Sequence, residues 1–461
     1  MVRRPTSGAS TACNAANPYV LRGTVAVILG NAFLKYASWR WIFYCGVIVE
    51  AVAFAGTAVF YWPTPRPRGD FDKSRWQEVR EMDWVGLFLF TSGLAVFLVG
   101  LTWGGSEEHP WGDASTIAPL AVGLVVIAIG FVYDWTLAKN PMFPRSLFTM
   151  FRRYTILLIV LFVSGMNFHA MSPLLPQGSL FMFTQDGMEI GIMSLPNTIM
   201  QGIVGALVPM LAHKIGFVKW QIVVGMVFQT VFLAASAGAV YPNNKLAFVF
   251  LPAFGVPMFV WVTIMSYAVA SLHVPHSQLG VAMGLLGTFR SGGGAVGNAI
   301  FNSVFQDRLH AFAGEEIAAA AAKNGLNMTA LPVIIPQTIL YNQGVPGMLA
   351  NFPQPVKDAL QEAVRVAYGH AFKIVFLCTI PFSAIALVCS LWIEDPTAYM
   401  TNHVQFAMGG RDAFDGLARS GGSSGHGPRR SGSEIEMLDD DGKDDFRPVT
   451  VVNRSAPAAR T

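Results

Sequence analysis

The feature that most constrains this chain is a series of apolar runs, each long enough to cross a lipid bilayer. A transmembrane helix needs about 20 apolar residues. Ten runs approach or exceed that length: about 20–34, 41–62, 84–103, 116–135, 154–176, 190–212, 219–240, 246–271, 279–305 and 370–393. Backbone groups in hydrocarbon must pair within their own segment, and these runs lack the alternation of a membrane β-barrel. The sequence therefore predicts an all-α, polytopic membrane protein with about ten transmembrane helices.

Composition supports this class and argues against a soluble enzyme or a nucleic-acid-binding protein. Of the 461 residues, 53% are hydrophobic and only 13% are charged, whereas soluble domains are about 25% charged. The net charge of +3 is too small to indicate a nucleic-acid partner. The sequence contains no Walker loop, no nucleophile elbow and no cluster of His or Cys ligands. We therefore expect no enzymatic activity, cofactor, metal or nucleotide.

The charges in the connecting loops predict how the chain is oriented. Lys and Arg are enriched in cytoplasmic loops, and alternate loops of this chain differ strongly in their content. Eleven Lys and Arg residues lie in one set of loops: 63–83, 136–153, 213–219 and 272–278. Three lie in the opposite set: 35–40, 104–115, 177–189 and 241–245. The first set is predicted to be cytoplasmic, and with it both chain termini.

Two further segments are predicted to lie outside the membrane. Residues 306–369 form a long outer connection with two amphipathic stretches, which predict short helices. This connection contains Asn327 in an Asn-Met-Thr triplet, a candidate glycosylation site. Residues 394–461 are rich in Gly, Ser, Arg and Asp, a composition that predicts a disordered cytoplasmic tail.

Three stretches carry a resemblance to a known family: SWRWIFYCGVIVE at 38–50, REMDWVGLFLFTSGLAVFLVGLTWGG at 80–105 and GVAMGLLGTFRSGGGAVGNAIF at 280–301. Through them the chain resembles the major facilitator superfamily. The likeness is greatest to fungal fourteen-helix drug:proton antiporters of the trichothecene-efflux-pump-like group. It covers most of residues 19–395 and implies a fold of the major facilitator type.

The resemblance also implies how the chain is divided. Residues 20–62 would be a remnant of the N-terminal helical half, 84–135 two inserted transmembrane helices, and 154–393 the six-helix C-terminal half. The segments between and before them would be cytoplasmic: 1–19, 63–83 and 136–153. In this comparison, the first four helices of the family's N-terminal half would have no counterpart in the 461 residues of the sequence. The chain therefore resembles an N-terminally truncated transporter.

Two charged residues inside predicted spans are candidates for function, because a charge at the centre of a bilayer costs about 2.5–3.5 kcal/mol or more. Glu50 lies midway along 41–62. It is either a proton-exchanging carboxylate or the partner of a polar group elsewhere. Arg290 lies within 279–305. Since arginine keeps its proton, it would attract an anionic group or carboxylate, or bond to carbonyl groups of neighbouring helices.

A third group of residues is predicted to face a central cavity. The resemblance implies that the first, second, fourth and fifth helices of each half line such a cavity. The amide, aromatic and Met residues on the first, second and fourth of these are Asn167, His169, Gln201, Phe254, Met258, Trp261 and Tyr267. They suit a bulky amphipathic organic substrate, although packing against lipid would explain several of them. Pro252, Gly255 and Pro257 predict a bending point.

A glycine-rich stretch in 279–305 spells G-x-G-x-x-G at Gly292, Gly294 and Gly297, as dinucleotide-binding loops do. Its place in an apolar run excludes that role. A stripe of small residues at helical spacing instead predicts close packing with another helix. The glycines and serine expected at or beside this contact are Gly280, Gly284, Gly287, Ser291, Gly294 and Gly297.

The resemblance implies a secondary active transporter that uses protons to expel bulky organic compounds, such as drugs, mycotoxins or secondary metabolites. Its partners would be the lipid bilayer, a small organic substrate and protons, and the plasma membrane is the expected location. Two alternatives stay open. One is siderophore-type uptake, and the other is a non-transporting membrane protein that assembles with or regulates a full-length relative.

Overall fold

A computed structural model describes residues 26–61, 75–104, 109–239, 244–275, 278–326, 328–342, 348–349 and 352–396. The chain divides into two units, of which one contains every described residue. The other, residues 62–66 and 404–461, lies outside them. The predicted N-terminal segment, the predicted disordered tail beyond 396 and the candidate glycosylation site Asn327 also lie outside the described residues.

Fourteen α-helices make up most of this part of the chain. In order, α1 to α7 are Ala26–Tyr36, Arg40–Phe60, Arg75–Glu81, Trp84–Trp103, Ala114–Thr136, Arg145–Thr149 and Ile156–Met182. Helices α8 to α14 are Gly187–Ile215, Val218–Ala239, Lys245–Gly255, Met258–His273, Leu279–Lys323, Leu331–Asn342 and Gln354–Leu391. A π-helical turn, Phe151–Thr155, leads into α7, and a 3₁₀ turn, Met328–Ala330, precedes α13. The described ranges contain no strand, so the predicted all-α class is confirmed.

Eight segments of the described chain are long and apolar enough to cross a membrane. They correspond to eight of the ten predicted runs. The first run yields only the short apolar helix α1. The ninth lies in the 45-residue helix α12. This helix is long enough but is not among the eight, because glycines and charged residues lower its mean hydropathy. The eighth run is interrupted between α10 and α11, where the sequence predicts a bending point.

The connection at 306–369 differs from its prediction. Separate short helices were expected there, but α12 continues unbroken to Lys323 and α14 already begins at Gln354. The reason is that the buried stripe of α12 keeps a four-residue spacing beyond the predicted span, at Phe305, Leu309, Ala313, Ile317 and Ala321. This stretch is also rich in alanine, the best helix former. We call α13, with residues 306–323 of α12 and 354–369 of α14, the helical extension.

Helix α7 lies at the centre of the described bundle. Its first half belongs to a core cluster that includes Tyr154, Met226 and Val262, whereas its second half belongs to a cluster that includes Phe305 and Phe372. It packs against α8, α11, α12 and α14. The side chains of α7 therefore contact other protein residues on most sides of the helix.

The helix pair α4–α5 is held together by glycines and attached to α12. A methyl group added at Gly123 would lie 2.4 Å from the backbone nitrogen of Phe97, so only glycine allows this approach. The hydroxyl of Ser303 on α12 donates to the carbonyl of Leu101 at 2.9 Å. These contacts place the pair beside α12.

Asp134 fixes the segment that follows α5. Its side chain is 2% exposed and accepts hydrogen bonds from the backbone N–H groups of Met142 (2.7 Å) and Phe143 (3.0 Å). The ring of Phe143 in turn packs against Phe289 of α12. The carboxylate thereby satisfies the buried N–H of Phe143 and the partly buried N–H of Met142, and it brings the α5–α6 connection onto the helix that carries Arg290.

Candidate functional site

A cavity of about 300 Å³ lies between α1, α7, α8 and α10. Its apolar wall includes the aromatic rings of Phe168 and Phe248 and the side chains of Leu175, Met193 and Val256. Its polar wall consists of uncharged amides and hydroxyls: Asn31, Ser172, Ser179, Ser194, Asn197, Thr198 and Gln201. None of the described lining residues carries a charge. Apolar walls with a few polar groups are typical of small-molecule sites.

Several of the lining hydroxyl groups already donate to their own helix. Ser179 donates to the carbonyl of Leu175 at 3.1 Å, and Ser194 donates to the carbonyl of Ile190 at 3.0 Å. A hydroxyl whose proton is used in this way still offers its oxygen as an acceptor. The amide of Gln201, by contrast, supplies donors as well as an acceptor. The cavity can therefore both donate hydrogen bonds to an uncharged molecule and accept them from it.

Two prolines shape the cavity side of α7. Pro173 and Pro176 lie inside the helix, and neither has an N–H to donate to the carbonyl four residues earlier. The helical bonds to the carbonyls of His169 and Ser172 are therefore missing. This part of α7 is weakened next to the cavity, and the two carbonyl groups can accept other hydrogen bonds.

Helix α1 closes one side of the cavity through Asn31. A methyl group added at Gly191 of α8 would lie 3.0 Å from the Asn31 amide nitrogen. Close by, the ammonium of Lys35 lies 3.2 Å from the carboxylate of Asp186. The backbone N–H of Met188 and then Lys35 donate to this carboxylate and lower the pKa of Asp186 below its usual value. The contact of the Asn31 side chain with the α8 backbone at Gly191 and the ion pair of Lys35 with Asp186 thus fix α1 to the beginning of α8.

Among the predicted cavity residues, Gln201 lines this cavity. Asn167 is fully buried on another side of α7, where its amide donates to the Ser383 hydroxyl of α14 at 2.8 Å. His169 bonds to the carbonyl of its own helix at Gly165 (3.0 Å), and its ring packs edge-on against Phe259. Asn167 and His169 therefore lie between helices.

The predicted residues of α10 and α11 point in several directions. Phe254 is 40% exposed and packs against Phe232 of α9. Met258 is buried in the core around the first half of α7. Trp261 lines a shallow, largely apolar depression of about 500 Å³ with Phe217 and Trp220. The Tyr267 hydroxyl lies 3.2 Å from a methyl group added at Gly287. None of the four is among the residues that line the cavity.

The two charged candidates lie in contrasting surroundings. Arg290 is half-buried, its guanidinium lies 5.8 Å from the centre of the Phe259 ring, and its Nε has no hydrogen-bond partner among the described residues. The arrangement is a cation–π contact with unused hydrogen-bonding capacity. Glu50 lies on α2, where its side chain is exposed. The described contact of the Arg290 guanidinium is with Phe259, and no described contact joins it to Glu50.

The glycine stripe of α12 contacts α7, but not along its whole length. Added methyl groups would lie 2.6 Å from the His169 ring at Gly294 and 2.6 Å from Met166 Cα at Gly297. Methyl groups added at Gly280 and Gly284 would meet no described atom of another part of the protein within 4 Å, and Ser291 is exposed. The tightest contact is at Gly293, outside the predicted stripe, where a methyl group would lie 2.1 Å from the Phe162 carbonyl oxygen.

Sequence reasoning missed several buried polar residues that join the helices. Ser164 of α7 donates to the Gln229 side chain of α9 at 3.0 Å, and both residues are fully buried. Asn342, at the end of α13, is 2% exposed and contacts α7. The available signal was a lone amide or hydroxyl within an apolar run, because such a group needs a partner.

Comparison with known proteins gives a consistent family. Residues 12–429 match the family described as fungal trichothecene efflux pump (TRI12). The trichothecene efflux pump TRI12 of Fusarium sporotrichioides is 24% identical over 84% of the chain and 65% of its own length. The MFS-type transporter prx5 of Penicillium rubens is 29% identical, over 82% of the chain and 70% of its own length.

A third relative, the trichothecene efflux pump TRI12 of Trichoderma arundinaceum, is 25% identical over 84% of the chain and 66% of its own length. The chain thus spans about two thirds of the length of the curated relatives it matches. Because the family match covers most of the chain and eight of its segments can cross a membrane, the chain is a multi-pass integral membrane protein that belongs to the fungal trichothecene efflux pump family of major facilitator transporters.

Proposed function

We propose that this chain acts in the proton-coupled efflux of bulky, uncharged organic compounds. The observation that carries the proposal is the cavity of about 300 Å³ with apolar and uncharged polar walls, in a chain that belongs to an efflux pump family. Relatives named as efflux pumps support this direction of transport.

The lining of the cavity supports an uncharged substrate that carries several oxygen atoms. An ion that enters a cavity of this size loses water of hydration, and the described lining residues offer no opposite charge in return. Amides such as Gln201 and Asn197 and hydroxyls such as Ser172 can instead replace the hydration of hydroxyl, ester or ether groups. The rings of Phe168 and Phe248 provide apolar contacts for the carbon skeleton.

Protons would supply the driving force, and Glu50 and Arg290 are the charged groups proposed to take part. Arginine does not release its proton. Arg290 would therefore act by attracting a carboxylate or another anionic group. The Nε of Arg290, which has no hydrogen-bond partner among the described residues, supports this role. Glu50 would be the exchanging group. A Glu50→Gln variant that retains proton-dependent efflux would exclude this role for Glu50.

The distribution of positive charge supports an orientation with both termini in the cytoplasm. Export to the outside of the cell then places the protein in the plasma membrane, with the helical extension on the outer side. The cavity residues of α7 lie in its second half, towards Met182, so in this orientation the cavity lies in the outer half of the bundle. Fluorescence microscopy of a C-terminally tagged chain tests the location, and protease access to the tag in intact cells tests the orientation.

The decisive experiment expresses the chain in a fungal strain that lacks its own efflux pumps. We expect a radiolabelled neutral terpenoid to be retained less than in the empty strain, and an uncoupler of the proton gradient to abolish the difference. Gln201→Leu should reduce efflux, because it replaces a polar cavity wall by an apolar one. Gln354→Leu is the matched control, since Gln354 is exposed at the beginning of α14.

Three results would overturn the proposal. They are correct membrane insertion without any change in retention, efflux that is unaffected by the uncoupler, and equal effects of the two glutamine variants. Increased accumulation of an iron-loaded siderophore would instead support uptake. Activity that appears only when a full-length relative is co-expressed would support a regulatory or assembly role.

A further inference from the structure

Asn342, the last residue of α13, joins three separate parts of the chain. Its side-chain amide donates to the carbonyl of Phe181 in α7 at 3.1 Å, and its side-chain oxygen accepts from Gln361 of α14 at 3.5 Å. Its backbone carbonyl accepts from the Gln185 side chain, just after α7, at 3.0 Å. Asn342 itself is buried, with only 2% of its surface exposed, whereas its partner Gln185 is exposed.

The bond to Phe181 caps the end of α7. The last four carbonyl groups of a helix have no partner within it, and α7 ends at Met182. The carbonyl of Ser179 is satisfied by the N–H groups of Phe183 and Thr184, whereas the carbonyl of Phe181 receives the Asn342 amide. The end of α7 thus depends on a side chain from the helical extension, about 160 residues further along the chain.

The same end of α7 forms a wall of the cavity. Ser179 lines the cavity and precedes Phe181 by two residues, which is about 3 Å along a helix axis. Pro176 lines it as well, and with Pro173 it removes two helical hydrogen bonds from this part of α7. The cavity wall is therefore a weakened helical segment whose far end is fixed by Asn342.

Ring contacts continue this connection into the extension. The ring of Phe181 packs against Tyr368 of α14 at 4.9 Å between centroids. One turn earlier, a methyl group added at Gly178 would lie 2.6 Å from the ring of Phe248 and 2.7 Å from that of Phe372. Because Phe248 is itself a cavity residue, a displacement of this segment would move the cavity wall on two sides.

We propose that Asn342 is a positioning residue for the cavity. It holds the α7 segment beyond Pro173 against the helical extension and so sets the width of the cavity between α7 and α8. Release of its three bonds lets the segment bend at the prolines and widens the cavity at its outer end. The link to substrate rests on the proposed function, whereas the link to the position of α7 does not.

The test compares Asn342→Ala with Asn324→Ala. Asn324 is the matched control, because it directly follows α12, is exposed, and its amide bonds to the carbonyl of Ala320 in the helix that precedes it. Gln185→Ala is the second variant. It removes one of the three bonds from an exposed position, so it tests the same contact if Asn342→Ala does not fold.

Two measurements separate positioning from general stability. Spin labels at positions 177 on α7 and 192 on α8, in a variant without native cysteines, report the distance across the cavity. We expect this distance to be longer and more broadly distributed in Asn342→Ala and unchanged in Asn324→Ala. In transport, the KM for the neutral terpenoid should rise about fivefold. This is the change in a binding constant that corresponds to the free energy of one neutral hydrogen bond. The maximal rate should change less than twofold.

An unchanged distance distribution in both Asn342→Ala and Gln185→Ala would overturn the proposal. A changed distance with an unchanged KM would overturn its link to substrate. If the unaltered chain transports nothing, the proposed function fails, but the spin-label distances still decide whether Asn342 positions α7.

Discussion

Helices α2 and α7 are almost equally apolar and differ completely in their surroundings. The most apolar window has a mean hydropathy of 1.9 in α2, and of 1.7 in the segment that contains α7. None of the α2 window is buried within the described protein, compared with 67% of the α7 window. Hydropathy therefore predicts that both helices cross the membrane, and says nothing about their place in the bundle.

Small and polar residues account for the difference. Lipid tails are as apolar as leucine, so helices associate in membranes through close packing and hydrogen bonds. Helix α7 has Gly165 against the α12 backbone and buried Ser164 and Asn167 bonded to neighbouring helices. On α2, the hydroxyl of Thr57 bonds to a carbonyl of its own helix, at Ala53. The same kinds of substitution should therefore have different effects in the two helices.

The largest expected effect comes from adding a methyl group at a glycine. In Gly165→Ala the new methyl would lie 2.2 Å from the carbonyl oxygen of Arg290. Because that oxygen belongs to backbone, α7 and α12 must separate, and we expect a loss of stability of about 3 kcal/mol. Gly46→Ala on α2 meets no described neighbour within 4 Å and should be neutral or stabilising by up to about 1 kcal/mol. Unfolding in detergent measures both, and equal effects would contradict the comparison.

A smaller effect is expected for the hydrogen bond between Asn167 and Ser383. The double-mutant cycle of Asn167→Ala and Ser383→Ala should give a coupling energy of about 0.6 kcal/mol, the average for such bonds between membrane helices, and no more than about 1.7 kcal/mol. Thr57→Ala on α2 should change stability by less than about 0.5 kcal/mol, since its hydroxyl bonds within its own helix. A coupling energy near zero would show that this contact does not hold α7 against α14.

The smallest effect concerns the charged beginning of α7. Arg153, in the π-helical turn before α7, donates to the Glu394 carboxylate at 3.0 Å, and this bond holds the pKa of Glu394 below its usual value of 4.5. A lowered pKa gives stability that is present above about pH 4.5 and is lost as the pH falls through the folded-state pKa. Both side chains are about a third or more exposed, so we expect only a few tenths of a kcal/mol.

The measurement for Glu394 is the unfolding midpoint of the unaltered chain and of Glu394→Gln, each over a range of pH. The difference between the two unfolding midpoints should be constant near neutral pH and should shrink below about pH 4.5. Glu315→Gln, at an exposed position of the helical extension, serves as the control. A difference that grows on acidification would contradict the sign of the pKa shift.

The sequence predicts well where the helices of this fold lie along the chain. It predicts poorly how each helix is rotated about its own axis, and so which side chains face the cavity. Apolar length locates the spans, and prolines locate the interruption before Met258, because both signals depend on the chain alone. The directions of Phe254 and Trp261 could not be predicted, since a helix that is apolar on all sides has no pattern to show which side faces the cavity. Asn31 and Asn342 were missed for another reason, namely that their partners lie far away in the sequence.

The contact between α7 and α12 also limits how the bundle can move. The Phe162 carbonyl lies against Gly293, the Arg290 carbonyl against Gly165, and Met166 Cα against Gly297. These three contacts between backbones interlock over more than one turn of each helix. Sliding one helix past the other would require all three to disengage and re-form a full turn away, about 5.4 Å. The two helices therefore move together over this stretch, and access to the cavity changes through α1, α8, α10 and the α7 segment beyond Pro173.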